Sequence, residues 1–554
     1  MVALAGCQDS TRPGGSDPDL SLVSLAHVCG SRFRVDNANA EPLTVRFDVP
    51  ASGETGELAL PGRVAPGTGS VTRLVTLTAG EVRLSYHDRP IGSAVGASDS
   101  CPPPAPTVPE PAASAGEWTA PFSWPVVAVH LHLLLDGRVL SWGRMGDPQL
   151  WDPATGAFTA APSASDLFCA GHTFLADGRL LVAGGHISDN HGLPDANLFD
   201  PLSAAWIRVA PMAHGRWYPT ATLLADGRVV ALAGQDQSGL DVAEPEVWDG
   251  SGWSARPGAS KVIPFYPRMF LAPNGLLFYA GELPQSEYLD PSGAGSWAPV
   301  ATSLYGRRDY GSAVLYGPGQ VMIVGGSDPA DGAPTATAET IDLRQGVPAW
   351  HFTGSMAFPR RQFNATLLPD GRVVATGGTS TPGFTDVAGA VHAAEVWDPA
   401  TGQWTTWASN TVARVYHSTT LLLPDGRLLH SGSGDGANLP RELSAELFTP
   451  PYLLHGPRPV IAGAPASVSL GSSFTVSTPD AGAVTRASLV RLPSVTHGFD
   501  QNQRFVPLTV TRSAGGLTLA APSAAALAPP GDYMLFLLDA DGIPSIARIL
   551  RLTP

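Results

Sequence analysis

Arg414-Val415-Tyr416-His417-Ser418-Thr419-Thr420-Leu421-Leu422-Leu423-Pro424-Asp425-Gly426-Arg427 is the stretch from which the rest of the chain is read. A Tyr-His pair opens a run that reads as a strand, and Asp-Gly closes it as a tight turn. Neighbouring side chains on a strand point to opposite faces. Tyr416 and His417 can therefore reach one site only at the frayed start of the strand, where the backbone turns. That is a place for ligands rather than for packing.

The turn recurs. Its commonest form is Asp-Gly-Arg followed by apolar-leaning residues and a small or Gly pair. It stands at Asp136-Gly137, Asp177-Gly178, Asp226-Gly227, Asn274-Gly275, Pro318-Gly319, Asp370-Gly371 and Asp425-Gly426. Successive glycines are 41, 49, 48, 44, 52 and 55 residues apart, a period that fits a four-stranded propeller blade. Gly184-Gly185, Gly325-Gly326 and Gly377-Gly378 supply the ends typical of kelch repeats. Most turns are followed by a strand ending in an aromatic and Asp, as at Trp151-Asp152 and Trp397-Asp398. An aromatic then opens the expected outer strand: Phe158, Trp206, Trp253, Trp297, Trp350, Trp404. Seven turns make seven blades, yet only six outer aromatics follow them. The seventh lies upstream at Glu117-Trp118-Thr119, so this segment is expected to complete the last blade.

The fold expected is all-β: a seven-bladed kelch-type β-propeller over 117–452, flanked by two sandwiches. Short alternating runs over 21–101 read as an N-terminal β-sandwich, and Ser473-Phe474-Thr475-Val476 with Tyr533-Met534-Leu535-Phe536-Leu537 reads as a C-terminal immunoglobulin-like β-sandwich over 457–554. Residues 102–116 are Pro/Ala-rich and read as a linker; residues 1–20 read as a signal remnant and tether.

Composition agrees. Gly 61 and Pro 53 in 554 residues suit a turn-rich β protein. The formal net charge is -15 and Lys261 is the only lysine, which argues against nucleic acid and anionic membranes. No apolar run is long enough to span a bilayer. Leu4-Ala5-Gly6-Cys7 resembles a bacterial lipoprotein cleavage box, although the charged and apolar parts of a signal peptide are missing from the sequence. Cys7 is thus a candidate lipid anchor, with the protein secreted or held on a bacterial cell envelope. Cys29 and Cys101 bracket the first domain, and an exported protein could pair them. A monomer is expected.

In a propeller the innermost strands all start at one end of the central channel. The residue about eight before each turn faces the axis mouth. Reading that position off gives Cys169, Tyr218, Tyr266, Tyr310, Gln362 and His417, with Tyr416 beside His417. Thiol, phenol and imidazole form a coherent ligand set for copper. Each residue has an ordinary reading too: buried cysteine, core tyrosine, hydrogen-bonded histidine. Their coincidence at equivalent blade positions is what points to a site. His172 and His186, near Cys169, read as packing or surface histidines.

Four segments carry a resemblance: Asp166-Leu167-Phe168-Cys169-Ala170-Gly171, Gly215-Arg216-Trp217-Tyr218, Arg414-Val415-Tyr416-His417-Ser418, and Thr496-His497-Gly498-Phe499-Asp500-Gln501-Asn502-Gln503-Arg504. Together they resemble the signature segments of the copper radical oxidases, which include galactose oxidase and glyoxal oxidase; Trp217-Tyr218 is more like the glyoxal oxidase branch. The resemblance implies one copper ion with His417 and His497 as nitrogen ligands. It implies Tyr218 as an equatorial phenolate joined to Cys169 by a thioether, and Tyr416 as the axial tyrosine that takes the substrate proton. His497 would have to reach down the propeller axis from the last domain. Alcohol oxidation removes two electrons and Cu(II) accepts one, so a Cys-Tyr radical cofactor supplies the second redox unit. Where galactose oxidase stacks a tryptophan on this tyrosine, the chain has Asp236; Trp217 is the candidate replacement, and galactose is left open as substrate. Trp217, Tyr266, Arg268, Tyr310 and Arg361 are candidate pocket residues. The function expected is oxidation of a primary alcohol or hydrated aldehyde with O2, yielding H2O2. The alternative is a non-catalytic propeller that binds extracellular carbohydrate or cell-wall polymer.

Overall fold

The computed structural model describes residues 18–29, 31–60, 70–76, 80–96, 112–383, 386–436, 439–513 and 516–554. Cys7, Cys101 and the Cys29 side chain lie outside the described residues, and with them the lipid-anchor and disulfide expectations.

The Asp-Gly-Arg turns show why the repeat is spelled that way. At Asp136, Asp177, Asp226, Asp370 and Asp425 one carboxylate oxygen accepts the arginine amide two residues on, at 3.0–3.1 Å. The other oxygen takes the same arginine's Nε at 2.6–2.7 Å. The glycine between them sits at φ +85° to +89°, a left-handed conformation that costs glycine little. Asn274 does the same with a side-chain amide, accepting from Leu276 N at 3.1 Å.

Each turn joins the first two strands of an antiparallel sheet. Seven such sheets follow one another, with first strands His130–Leu133, Gly171–Phe174, Thr220–Leu223, Met269–Leu271, Ser312–Gly317, Asn364–Leu367 and Ser418–Leu422. The fourth strand of the last sheet comes from upstream: Glu117–Trp118 pairs with Ser444–Thr449, Trp118 opposite Phe448. Phe122–Ser123 pairs with the same strand. The inner strands of the first and last sheets touch, and Thr419 Oγ1 donates to Ala128 O at 2.7 Å.

A device that sequence reading misses repeats in four of these sheets. Arg216–Glu246, Arg308–Glu339, Arg360–Glu395 and Arg414–Glu446 form ion pairs in which no side chain is more than 2% exposed. Each arginine donates to a carbonyl at the end of the second strand, at 2.9–3.0 Å. Each glutamate accepts a backbone N–H from the loop that precedes its arginine. These pairs fasten the loops that enter the inner strands.

The C-terminal domain is a sandwich. Its five-stranded sheet runs Ser467–Ser469, Arg548–Thr553, Gly531–Leu538, Arg486–Arg491, Phe505–Leu508; the facing sheet is Ser473–Ser477, Gly516–Ala520, Val510–Ser513. Val476, Leu489, Leu517 and Leu535 fill the space between them. Between Arg491 and Phe505 a hairpin, Ser494–Thr496 and Phe499–Asp500, leaves the sandwich and pairs with His130–Leu133. Residues 1–101 form a separate unit with a three-stranded and a four-stranded sheet. Leu43, Val45, Phe47 and Val49 point into its core while the residues between them are exposed or half-buried, the period-2 pattern of a one-sided strand.

Candidate active site

The inner strands are entered through strained residues. Cys169, Tyr218, Tyr266, Tyr310, Gln362 and His417 all have positive φ, between 45° and 67°. For non-glycine residues this costs on the order of 1–3 kcal/mol each, and such strain concentrates at functional sites. Backbone bonds tie the positions together: Tyr218 N to Cys169 O at 2.9 Å, Tyr266 N to Tyr218 O at 3.0 Å, Gln362 N to Tyr310 O at 2.9 Å. Sequence reading finds these positions by counting back from each turn, but not their left-handed backbone, which brings side chains of successive sheets together at one place.

There the Tyr218 and Tyr416 hydroxyls lie 2.5 Å apart, and His417 Nε2 is 3.4 Å from the Tyr218 hydroxyl. His417 Nδ1 donates to Gly434 O at 2.5 Å, which fixes the tautomer and leaves the Nε2 lone pair facing the tyrosines. His497 arrives from the C-terminal hairpin at φ +49°, its ring centroid 4.5 Å from Tyr218 and 4.7 Å from His417. Its Nδ1 is bonded to Thr496 Oγ1 at 2.6 Å, and its Nε2 is buried with no partner. An orphaned buried imidazole nitrogen beside two phenol oxygens and a second imidazole lone pair fits a copper ion. Among the described residues no three His, Cys, Asp or Glu side chains gather as a metal site; half of this donor set is tyrosine. Burial holds His417 down to about 3 and His497 well below the usual imidazole range, so both are neutral, as ligation requires. Burial pushes both tyrosine hydroxyls well above the ordinary phenol range.

Cys169 is a free, fully buried thiol packed with Tyr218 and Trp217. Burial raises its pKa, and a hydrogen bond to Tyr218 partly offsets that. The Cys169 and Tyr218 side chains share one buried cluster. Trp217 stacks on the Tyr218 ring, centroids 3.7 Å apart and planes within 9°. Asp236 is a loop builder, accepting from Ser238 N and Leu240 N.

The hairpin is received by the inner strands through the rest of its motif. Gln501 Oε1 accepts from His172 N and Ala221 N, at 3.0 and 3.1 Å. Gln503 Oε1 accepts from Leu315 N at 2.9 Å, and Asn502 Oδ1 from Thr173 Oγ1 at 2.9 Å. Side-chain amides thus satisfy strand edges that face the axis. Gly498 is at φ +74°, and a Cβ there would collide with the Phe363 carbonyl.

A cavity of about 400 Å³ opens beside the tyrosines, lined by Tyr218, Tyr266, Tyr310 and His497. Val262 and Phe265 give it an apolar wall. Arg268, Glu282 and Arg307 give it a charged one, with Arg307 Nε on Glu282 at 2.6 Å and Arg268 on the Gly311 carbonyl. Trp217 is not on the lining, and neither is Arg361. Arg361 is fully buried, paired with Asp309 and Asp331, with its guanidinium 5.4 Å from the Tyr310 ring centroid. His172 is buried in a histidine cluster with His130 and His132 that sequence reading passes over. The available signal was His130-Leu131-His132, which puts two histidines on one strand face. His186 is also buried, against Phe168.

Residues 458–552 match the family described as galactose oxidase-like, early set domain. The galactose oxidase of Gibberella zeae is 30% identical over 505 residues, spanning 81% of this chain and 72% of that protein. The aldehyde oxidase GLOX of Vitis pseudoreticulata is 29% identical over 453 residues, spanning 70% and 82% respectively. A fungal alcohol oxidase of the AA5 family, solved in complex with copper, superposes with a TM-score of 0.73 at 25% identity, covering 80% of this chain and all of that one. The chain belongs to the galactose oxidase and glyoxal oxidase family of copper radical oxidases.

Proposed function

We propose that this protein oxidises a primary alcohol or hydrated aldehyde with O2, releasing aldehyde or carboxylic acid and H2O2. The observation that carries the reading is the meeting of two phenol oxygens 2.5 Å apart with two neutral imidazoles whose Nε2 atoms are free of hydrogen-bond donation. His417 Nε2, His497 Nε2 and the oxygens of Tyr218 and Tyr416 would hold the copper. When bound, the metal supplies one of the two one-electron acceptors. Tyr218, joined to Cys169, is the other: sulfur on the ring delocalises the unpaired electron, and the stacked Trp217 keeps water from its face. Tyr416 receives the substrate hydroxyl proton.

The cavity orients the substrate. Val262 and Phe265 are 56% and 36% exposed, so the mouth is partly apolar. That favours an alcohol with an apolar substituent over a fully hydroxylated sugar, while Arg268 and Glu282 hold a polar group on the other side. The sequence between Leu4 and Cys7 extends the proposal to a secreted or lipid-anchored location.

A peroxide assay on copper-loaded protein, across a panel including benzyl alcohol, methylglyoxal and galactose, tests the reading. Peroxide with the apolar alcohol or the aldehyde exceeding that with galactose is expected. No peroxide from any member, together with retention of oligosaccharide, would return the protein to the carbohydrate-binding alternative.

A further inference from the structure

Behind Cys169 lies a chain of hydrogen bonds whose direction is dictated from one end. The Cys169 amide donates to His130 Nε2 at 3.1 Å. A backbone amide can only donate, so His130 Nε2 carries no proton and its Nδ1 does. His130 Nδ1–H then donates to His172 Nε2 at 3.1 Å, and His172 Nδ1–H to Ser494 Oγ at 2.6 Å. The Ser494 hydroxyl is also bonded to His132 Nδ1 at 2.9 Å. Burial keeps all three imidazoles neutral, so the polarity of the chain holds across the working pH range. Trp142 stacks over both His130 and His132, centroids 4.9 and 4.5 Å away, and its Nε1 donates to Leu167 O at 2.9 Å. The same cluster thus grips the backbone at Leu167 and at Cys169, on either side of Phe168.

Two facts give this chain a purpose beyond packing. Cys169 is held at φ +63°, a conformation an L-residue leaves unless its surroundings over-determine it. Ser494 belongs to the hairpin that carries His497, and it is joined to Cys169's partner His130, 364 residues earlier in the chain, through His172. Hence one continuous network joins the thiol's backbone to the docked C-terminal hairpin.

We propose that His130, His172 and Ser494 are positioning residues for the Cys169–Tyr218 bond: they hold the thiol against the Tyr218 ring only once the C-terminal hairpin is seated, so that crosslinking waits for a complete ligand set. This rests on the radical-oxidase reading above. The step they serve breaks the Cys169 S–H and one ring C–H of Tyr218 and forms a C–S bond. Two protons and two electrons leave, and dioxygen takes them to give H2O2.

The test follows the crosslink in full-length protein after copper and air are added, by mass spectrometry of reduced and alkylated peptides, with copper content measured alongside. His130→Leu removes the acceptor from the Cys169 amide, and His130→Gln returns an oxygen near the position of Nε2. Ser494→Ala cuts the link to the hairpin without touching His130. His130→Leu is expected to slow crosslinking at least tenfold with copper retained, His130→Gln to recover most of the rate, and Ser494→Ala to slow it several-fold. Crosslinking at the wild-type rate in His130→Leu, or equally slow crosslinking in the Leu and Gln variants, overturns the proposal. Should His130→Leu fail to fold, Ser494→Ala decides: a wild-type rate there overturns it. Wild-type protein that holds copper and never crosslinks removes the radical-oxidase reading itself, an outcome distinct from the other failures.

Discussion

Glu446→Gln tests how the inner strands are held. Glu446 and Arg414 are both 0% exposed. One Glu446 oxygen meets Arg414 Nε at 3.1 Å and Asn410 Nδ2 at 3.3 Å; the other accepts from Thr411 N at 3.0 Å and Thr411 Oγ1 at 2.9 Å. A glutamine keeps one acceptor for Thr411 but turns an NH2 toward donors, and the guanidinium loses its counter-charge without gaining water. Breaking a buried pair in this way costs about 3–5 kcal/mol, far more than losing an exposed pair such as Arg34–Asp36. At about 2 °C per kcal/mol for a large domain, the melting midpoint should fall by about 6–10 °C. Differential scanning fluorimetry with and without copper, on Glu446→Gln and on Arg34→Ala as the exposed control, measures it. The double variant Arg414→Met/Glu446→Leu should recover much of the loss, since apolar replacement of a whole buried pair is often neutral. A shift below about 2 °C in Glu446→Gln, equal to the control, would refute the reasoning that these pairs fasten the loops.

Other expectations follow from the same geometry. His417→Ala or His497→Ala should reduce copper stoichiometry strongly by atomic absorption, each removing one of two nitrogen donors; unchanged copper in both would dismiss the site. Trp217→Ala should leave copper in place but shorten the lifetime of the oxidised radical, followed by its absorption after chemical oxidation; an unchanged lifetime would mean that the stack does not shield it. Asp500, half-buried with its carboxylate turned inward, has its pKa raised to about 6 by desolvation, so in the folded state it is destabilising once ionised. Its stabilising contribution is present below the unfolded value near 3.8 and is lost as pH rises through about 6. Asp500→Asn, which keeps an acceptor for Ser494 N and Asn502 N, should therefore raise the melting midpoint at pH 8 and not at pH 4. Removing residues 1–125 takes away the strand opposite Phe448 and should lower the midpoint by several degrees.

Much of the fold was legible because its signals are local. An Asp-Gly-Arg turn makes its bonds within three residues, and Trp118 betrayed its partner by standing where an outer strand lacked an aromatic. The candidate site was legible for a related reason: the axial position recurs at a fixed offset from each turn. What stayed hidden depends on distance in sequence. Nothing near His130 says that Ser494 will complete its chain, and nothing near Arg414 says that Glu446 will neutralise it. Arg361 shows the opposite error: an arginine beside an axial residue looks like a substrate contact, yet Asp309 and Asp331 take it inward. Trp217 could be named as the replacement for a missing tryptophan, but only the positive φ of Tyr218 shows how adjacent residues can stack face to face.

The central claim is that Cys169 and Tyr218 together form the second redox unit, and one mass measurement addresses it most directly. Copper-treated protein is fully reduced, alkylated and digested. The account predicts a joined pair of peptides carrying Cys169 and Tyr218, two hydrogens lighter than their sum, resistant to thiol reductants, with no alkylated Cys169. Protein that holds copper and yields Cys169 fully alkylated would contradict it.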